Sequence, residues 1–223
     1  MNPWLMSAVM VVAWSVFALQ MMIKIGALKK MAPESRMDQI PRRIGLLFNI
    51  GIGQEKLVGR SRERMPGIMH ALIFWGAMLI GIREVTLMGE GFVHGFQEYL
   101  PLLGSNYLSG FLFIYLYNIA ELVVLLMILV ALYRRFVPRP DRLDLNWEGV
   151  YVLIFIAGIM LTDLLFDAAR FNLIDEWQYS LHQFEHPVYG QERSWAPVAS
   201  ALAGFLVGLG ETSNSFFYHF GFW

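Results

Sequence analysis

The chain has 223 residues, of which 57% are hydrophobic and only 16% charged, with 17 Phe, 7 Trp and a formal net charge of -1. Ordinary soluble domains carry about a quarter charged residues, so the composition excludes that class and gives no basic surface for nucleic acid. The chain contains no cysteine, which excludes disulfides, thiolate-bound zinc and cysteine-ligated iron-sulfur clusters within it.

Five apolar runs have the length of a bilayer crossing: Leu5 to Ile25, Gly67 to Met88, Leu108 to Tyr133, Val150 to Ala169, and Ala196 to Phe217. The expected fold is therefore an all-α integral membrane protein, a bundle of about five transmembrane helices. The first run lacks a basic start and a small-residue cleavage site, so it reads as a retained helix and not a signal peptide. The connection over residues 27–66 contains Lys29, Lys30, Arg36, Arg42, Arg43, Lys56, Arg60, Arg62 and Arg64 against few acids. By the positive-inside rule it is a cytoplasmic loop, as is the connection bearing Arg134, Arg135, Arg139 and Arg142. The opposite connections carry Glu90, His94, Glu98, Asp175, Glu176, His182, Glu185 and His186. The amino terminus is then outside and the end of the fifth span inside. Within the first loop, IPRRIGLLFNIGIGQEKLVG mixes apolar and basic residues. It predicts an amphipathic segment that buries Ile44, Leu46, Leu47 and Phe48 at the membrane surface, or a docking surface for a soluble electron-transfer partner.

The second run, GIMHALIFWGAMLIGIREVTLM, holds His70 near its start and Arg83 and Glu84 near its end. An imidazole in hydrocarbon needs a hydrogen-bond acceptor on a neighbouring helix or a metal at its free nitrogen. The third run places Glu121 near its middle, with Asn118, Tyr115 and Tyr117 close by. An acid at that depth is costly unless neutral or paired. It marks a proton path or quinone pocket, or a structural hydrogen bond to Asn118 or a facing helix. In the fourth run Asp163 and Asp167 are four residues apart and Arg170 three further, so the three share a helix face. That face is either a solvated cap at the outer end or an ordered quinone entrance. His182 and His186 have a metal-compatible spacing, but Pro187 follows at once and exposed histidines are the better reading. No HExxH, Walker loop, Rossmann pattern or nucleophile elbow stands in usable context. In the fifth run Ser200, Gly204 and Gly208 recur every four residues, a spacing that lets a helix or flat cofactor approach. The aromatic stretch FYHFGFW around His219 reads as the opening of a further hydrophobic segment, so a continuation is expected.

The succession of GQEKLVGRSRERMPGIMHALIFWG, VALYRRFVPRPDRLD, LFDAAR and WAPVASALAG resembles the amino-terminal membrane domain of the heterodisulfide-reductase-related iron-sulfur membrane proteins. Its closest-looking members are the bacterial oxidoreductases that pass electrons from electron-transfer flavoprotein to menaquinone. The domain is similar in turn to the gamma, cytochrome b subunit of respiratory nitrate reductase. The resemblance runs from about Ile40 onward. It implies that residues 1–223 form one transmembrane cytochrome b-like domain in the bacterial cytoplasmic membrane, working in a respiratory chain between a quinone and an iron-sulfur domain or subunit. It also implies b-type haem held by histidines of the second and last helices. His70 matches the second-helix ligand, and His219 matches a histidine just before the last family helix. Iron-sulfur clusters then belong to a partner or to a following cysteine-rich domain. The chain departs from the family in having no second histidine in the second span, so one haem is expected. Arg42, Arg43 or Arg64 would meet its propionates, and Glu121, Asp163 and Asp167 would handle protons and quinone. The competing expectations are a haem-free transporter, which calls for broken helices, and a structural anchor for a soluble redox complex.

Overall fold

In the computed structural model the described residues are 3–31, 38–59, 64–90, 92–93, 96–104, 107–138, 147–181 and 189–222, with side chains left undescribed at a few helical positions, chiefly 174–181 and 189–191. His94, His182, Glu185, His186, Arg36, Arg60, Arg62, Arg139 and Arg142 lie outside the described residues, as do the side chains of Glu98, Asp175 and Glu176. Every regular element among the described residues is helical. Four helices are long and apolar enough to cross a membrane: α1 (Pro3–Lys29), α4 (Arg64–Glu90), α5 (Leu108–Phe136) and α6 (Trp147–Leu181). The chain is a multi-pass membrane protein. In hydrocarbon each backbone amide and carbonyl must be paired within the chain, and a long helix does this by itself.

α5 is the centre of the bundle, packing on α4 and α6 and touching both α7 (Tyr189–Trp195) and α8 (Pro197–Val207). Its buried face runs Gly110, Phe113, Ile114, Tyr117, Asn118, Glu121, Val124, Ile128 and Ala131. Those positions recur at helical spacing, so three polar residues occupy the same stripe as the core aliphatics. Ile80, Val124, Ile128 and Met160 form one apolar cluster. Phe113, Ile114, Leu164, Phe171, Ala199 and Ala203 belong to a second. α1 is different: no residue of its spanning stretch is buried, and it makes no extended interface with the other helices among the described residues.

The connection between α1 and α4 folds as a short helix α2 (Ile40–Leu46), which continues into a wider π-helical turn over Leu47–Ile52, and as α3 (Glu55–Val58). α3 packs on the start of α4.

The fifth expected crossing is divided. α8 (Pro197–Val207) and α9 (Glu211–Phe222) are separate helices joined at Leu209–Gly210, where Gly210 has φ +80°. At 1.5 Å per residue they are about 16 and 18 Å long, so neither alone traverses a hydrocarbon core of about 30 Å. A glycine tolerates that left-handed backbone conformation at no steric cost. The polar sequence GETSNS around the junction is held by side chains: Asn172 Nδ2 donates to the Ala203 carbonyl (3.0 Å) and Asn214 Oδ1 (2.9 Å), and Asn214 Nδ2 donates to the Leu206 (3.2 Å) and Gly210 (2.9 Å) carbonyls. α9 then runs antiparallel to α6, with Asn214 at Asn172, Tyr218 stacked on Phe166 (5.1 Å) and Gly221 against the Thr162 carbonyl. The close-packed stripe of α8 consists of Ala199, Ala203 and Leu206, all buried, whereas Gly204 has open space around it. The glycines therefore fall on the opposite face from the packing contact.

A buried charged cluster as the candidate functional site

The helical register of α5 aims Tyr117, Asn118 and Glu121 into the bundle. There they meet Arg83 from α4 and Asp163 and Asp167 from α6. Arg83 is 2% exposed, Asp163 3%, and Asp167 and Glu121 0%. Arg83 Nη2 lies 2.9 Å from Asp167 Oδ1, and the Tyr117 hydroxyl donates to Asp167 Oδ2 at 2.9 Å. The Arg83 guanidinium also sits 5.1 Å from the centre of the Tyr117 ring, which adds a cation–π contact. Arg170, one helical turn beyond Asp167, reaches Asp167 Oδ1 at 3.2 Å and Glu192 Oε2 of α7 at 2.9 Å. A chain of opposite charges thus runs from α4 through α6 to α7. Its interior location calls for such pairing, because a lone charge there is strongly disfavoured.

Glu121 and Asp163 have a different environment. Asn118 Nδ2 donates to Glu121 Oε2 at 3.3 Å, and the two carboxyl groups interact electrostatically across the α5–α6 interface. Glu121 Oε1 and both oxygens of Asp163 accept no N–H or hydroxyl hydrogen bond among the described residues, and the two carboxyl groups face each other closely enough to share a proton between them. Asn118 faces both ways: its Oδ1 accepts from the amides of Val198 (2.8 Å) and Ala199 (3.3 Å), capping the amino terminus of α8. One side chain therefore links a buried acid to the start of the divided helix. This arrangement sets a facing pair of carboxyl groups beside two arginines in a largely apolar surround, a setting suited to binding and releasing protons.

The C-terminal half of α6, expected either as a solvated cap or as a quinone entrance, is not a solvated cap. From Asp163 to Leu173 nearly every described residue is buried, because α7, α8 and α9 wrap it on the sides that α5 leaves free. The spacing placed Asp163, Asp167 and Arg170 on one face, and the structure adds Arg83 and Glu192 to them. An arginine inside a spanning run calls for an acid, so Arg83 could have been paired from sequence. Glu192 gave no such signal, lying in a polar stretch outside any predicted span.

The histidines stand apart from this cluster. His70 lies on the exposed side of α4, roughly 120° around the helix from the buried line of Gly76, Ile80 and Arg83. His219 is exposed on α9, edge-on to Tyr218 at 5.3 Å. Among the described residues neither imidazole has a hydrogen bond, and no group of three or more His, Asp and Glu gathers as a metal site. By donor chemistry both imidazoles fit an axial-ligand role, but α4 packs on α5 and α9 on α6, so the chain's own packing does not place them as a facing pair. Arg43 is exposed and paired with Asp38 (2.9 Å), and Arg64 is exposed at the start of α4.

One curated protein is similar along nearly the whole chain. It is the "Probable iron-sulfur-binding oxidoreductase FadF" of Bacillus subtilis (strain 168), 28% identical over 216 residues. The match covers 96% of this chain and 27% of that protein, so the chain spans about a quarter of its relative's length. No protein-family model and no solved structure matches the chain.

Proposed function

We propose that the chain is the membrane-embedded part of a redox protein, exchanging electrons between an iron-sulfur or flavoprotein partner and a quinone such as menaquinone. The observation that carries this reading is the buried ionisable cluster, in which Glu121 and Asp163 form a facing carboxyl pair able to hold and pass on a proton. Reduction of a quinone consumes protons as well as electrons, and carboxyl groups inside the bundle supply a route for them. The similarity to a protein named as an iron-sulfur-binding oxidoreductase supports a redox role, and the absence of cysteine assigns any iron-sulfur cluster to another part or partner. The four long helices suit a bacterial inner-membrane protein with α1 starting outside and the basic loop in the cytoplasm.

In this reading His70 and His219 would each offer an axial ligand to b-type haem only with a second ligand from outside the described residues, since the packing of α4 and α9 does not make them a facing pair, and Arg43 and Arg64 would stand near the propionates. A bound haem supplies reversible one-electron transfer. The chain's own part is to orient the quinone beside the cluster, keep bulk water out and move protons through Glu121 and Asp163, with Asp167 fixed by its two arginines. The test is a reduced-minus-oxidised visible spectrum of the purified protein with His70 intact and with His70→Ala. Low-spin haem bands that disappear in the variant are expected, and a colourless protein that still carries electrons would overturn the haem assignment.

A second reading is favoured by the division of α8 from α9. Broken helices line substrate paths in many transporters, and the Asn118 cap lies beside the acid pair. Proton or cation flux into vesicles holding the protein, without any redox partner, would favour it.

A further inference from the structure

We infer that α2 and the π-helical turn after it form a binding surface for anionic lipid headgroups, lying in the membrane interface. This inference rests on the chain being membrane-embedded and is independent of its redox role. Ile40, Ile44, Leu47 and Phe48 fall within about 100° of one another around the helix, and they are 47%, 49%, 63% and 56% exposed. No residue of α2 or of the following turn is buried apart from partial cover at its end. Four large apolar side chains on one face of a short helix need an apolar neighbour, and the bilayer is already at hand. α1 enters it immediately upstream. Downstream, α3 is locked to the start of the spanning helix α4, where Gly67 is buried with the Leu57 carbonyl so close that a Cβ at residue 67 would overlap it. The segment therefore lies in sequence between two spanning helices, at the membrane face where one ends and the next begins.

Charge selects the kind of lipid. Among the described residues from 29 to 59 there are five cations, Lys29, Lys30, Arg42, Arg43 and Lys56, against Asp38 and Glu55. Arg43 is committed to Asp38, whereas Arg42 is held only by the neutral side chain of Gln39 at 3.1 Å, which leaves its charge available to a phosphate. A shallow, open depression lined by Leu46, Asn49, Ile50, Glu55, Lys56 and Gly59 lies beside the helix and brings Lys56 next to it. The arrangement combines apolar insertion with attraction to an anionic surface, the two contributions that hold interfacial helices.

The absence of cysteine allows single spin labels to be placed without background. Ile44→Cys and Phe48→Cys report the apolar face, and Gly45→Cys, in open space, reports the side. The full chain is reconstituted in nanodiscs of phosphatidylcholine with or without phosphatidylglycerol. Labels at 44 and 48 are expected to collide with dissolved oxygen more than with a water-soluble nickel chelate, with the reverse at 45. Phosphatidylglycerol should increase the lipid contact, and Arg42→Gln with Lys56→Gln should reduce the docked-to-undocked ratio in the anionic discs by about tenfold. Water access at 44 and 48 in both disc types would overturn the inference. So would shielding from both agents, which marks a face packed on protein, or lipid contact indifferent to phosphatidylglycerol and to the two substitutions.

Discussion

Asp167 is the residue on which the buried charges converge, meeting Arg83, Arg170 and Tyr117. Asp167→Asn removes the one carboxylate in direct contact with the Arg83 guanidinium inside the bundle, and a loss of about 3–5 kcal/mol is expected from breaking such a pair. Thermal unfolding of the detergent-purified variant measures it. Removing both partners with Arg83→Met and Asp167→Leu should be milder than Asp167→Asn alone, since Arg83 is no longer left unpaired and Arg170 keeps Glu192 as its counter-charge; a double variant worse than the single would refute the pairing argument. Asn118→Ala is expected to cost about 1–2 kcal/mol, because it takes away the cap of α8 along with the bond to Glu121. Glu121→Gln is different. Its amide oxygen still accepts from Asn118, so stability should stay within about 1 kcal/mol of the parent while proton exchange at that position is lost.

At the scale of elements, length and hydropathy were enough to locate α1, α4, α5 and α6, since a bilayer crossing is the strongest pattern a sequence carries. The division of the fifth run was harder to see. Apolar residues continue on both sides of Gly210, and only the short polar stretch GETSNS marked the junction. What sustains that junction is remote: Asn172 lies 31 residues before Ala203, and no local rule pairs them. The stripe of Ser200, Gly204 and Gly208 suggested close packing, yet α8 packs through Ala199 and Ala203. Small residues occur on both faces of α8, so spacing alone does not choose between them. Gly210 provides a direct check. Its surroundings are open, so the expected effect of Gly210→Val is conformational, about 1–2 kcal/mol from the left-handed backbone, with Gly210→Asn less costly. Faster hydrogen exchange confined to α8 and α9 in the valine variant would show where that cost falls.

For the molecule as a whole, the sequence made visible that the chain is a helical membrane protein, and that Glu121, Asp163, Asp167 and Arg170 are ionisable groups in apolar runs. It did not reveal that they form one cluster with Arg83 and Glu192, because that depends on how α4, α6 and α7 close around α5. Nor did it separate the histidines from the acids: His70 stands out as an imidazole in an apolar run, the resemblance adds His219 and the haem role, and the fold leaves both on outward faces. The acids are where a quinone-linked role is decided. If Glu121 and Asp163 move its protons, as proposed, menaquinol-dependent electron transfer by the whole protein in proteoliposomes falls at least about a hundredfold when Glu121→Gln and Asp163→Asn are combined, in a variant that remains monodisperse and melts near the parent temperature. An unchanged rate in that folded variant would contradict it.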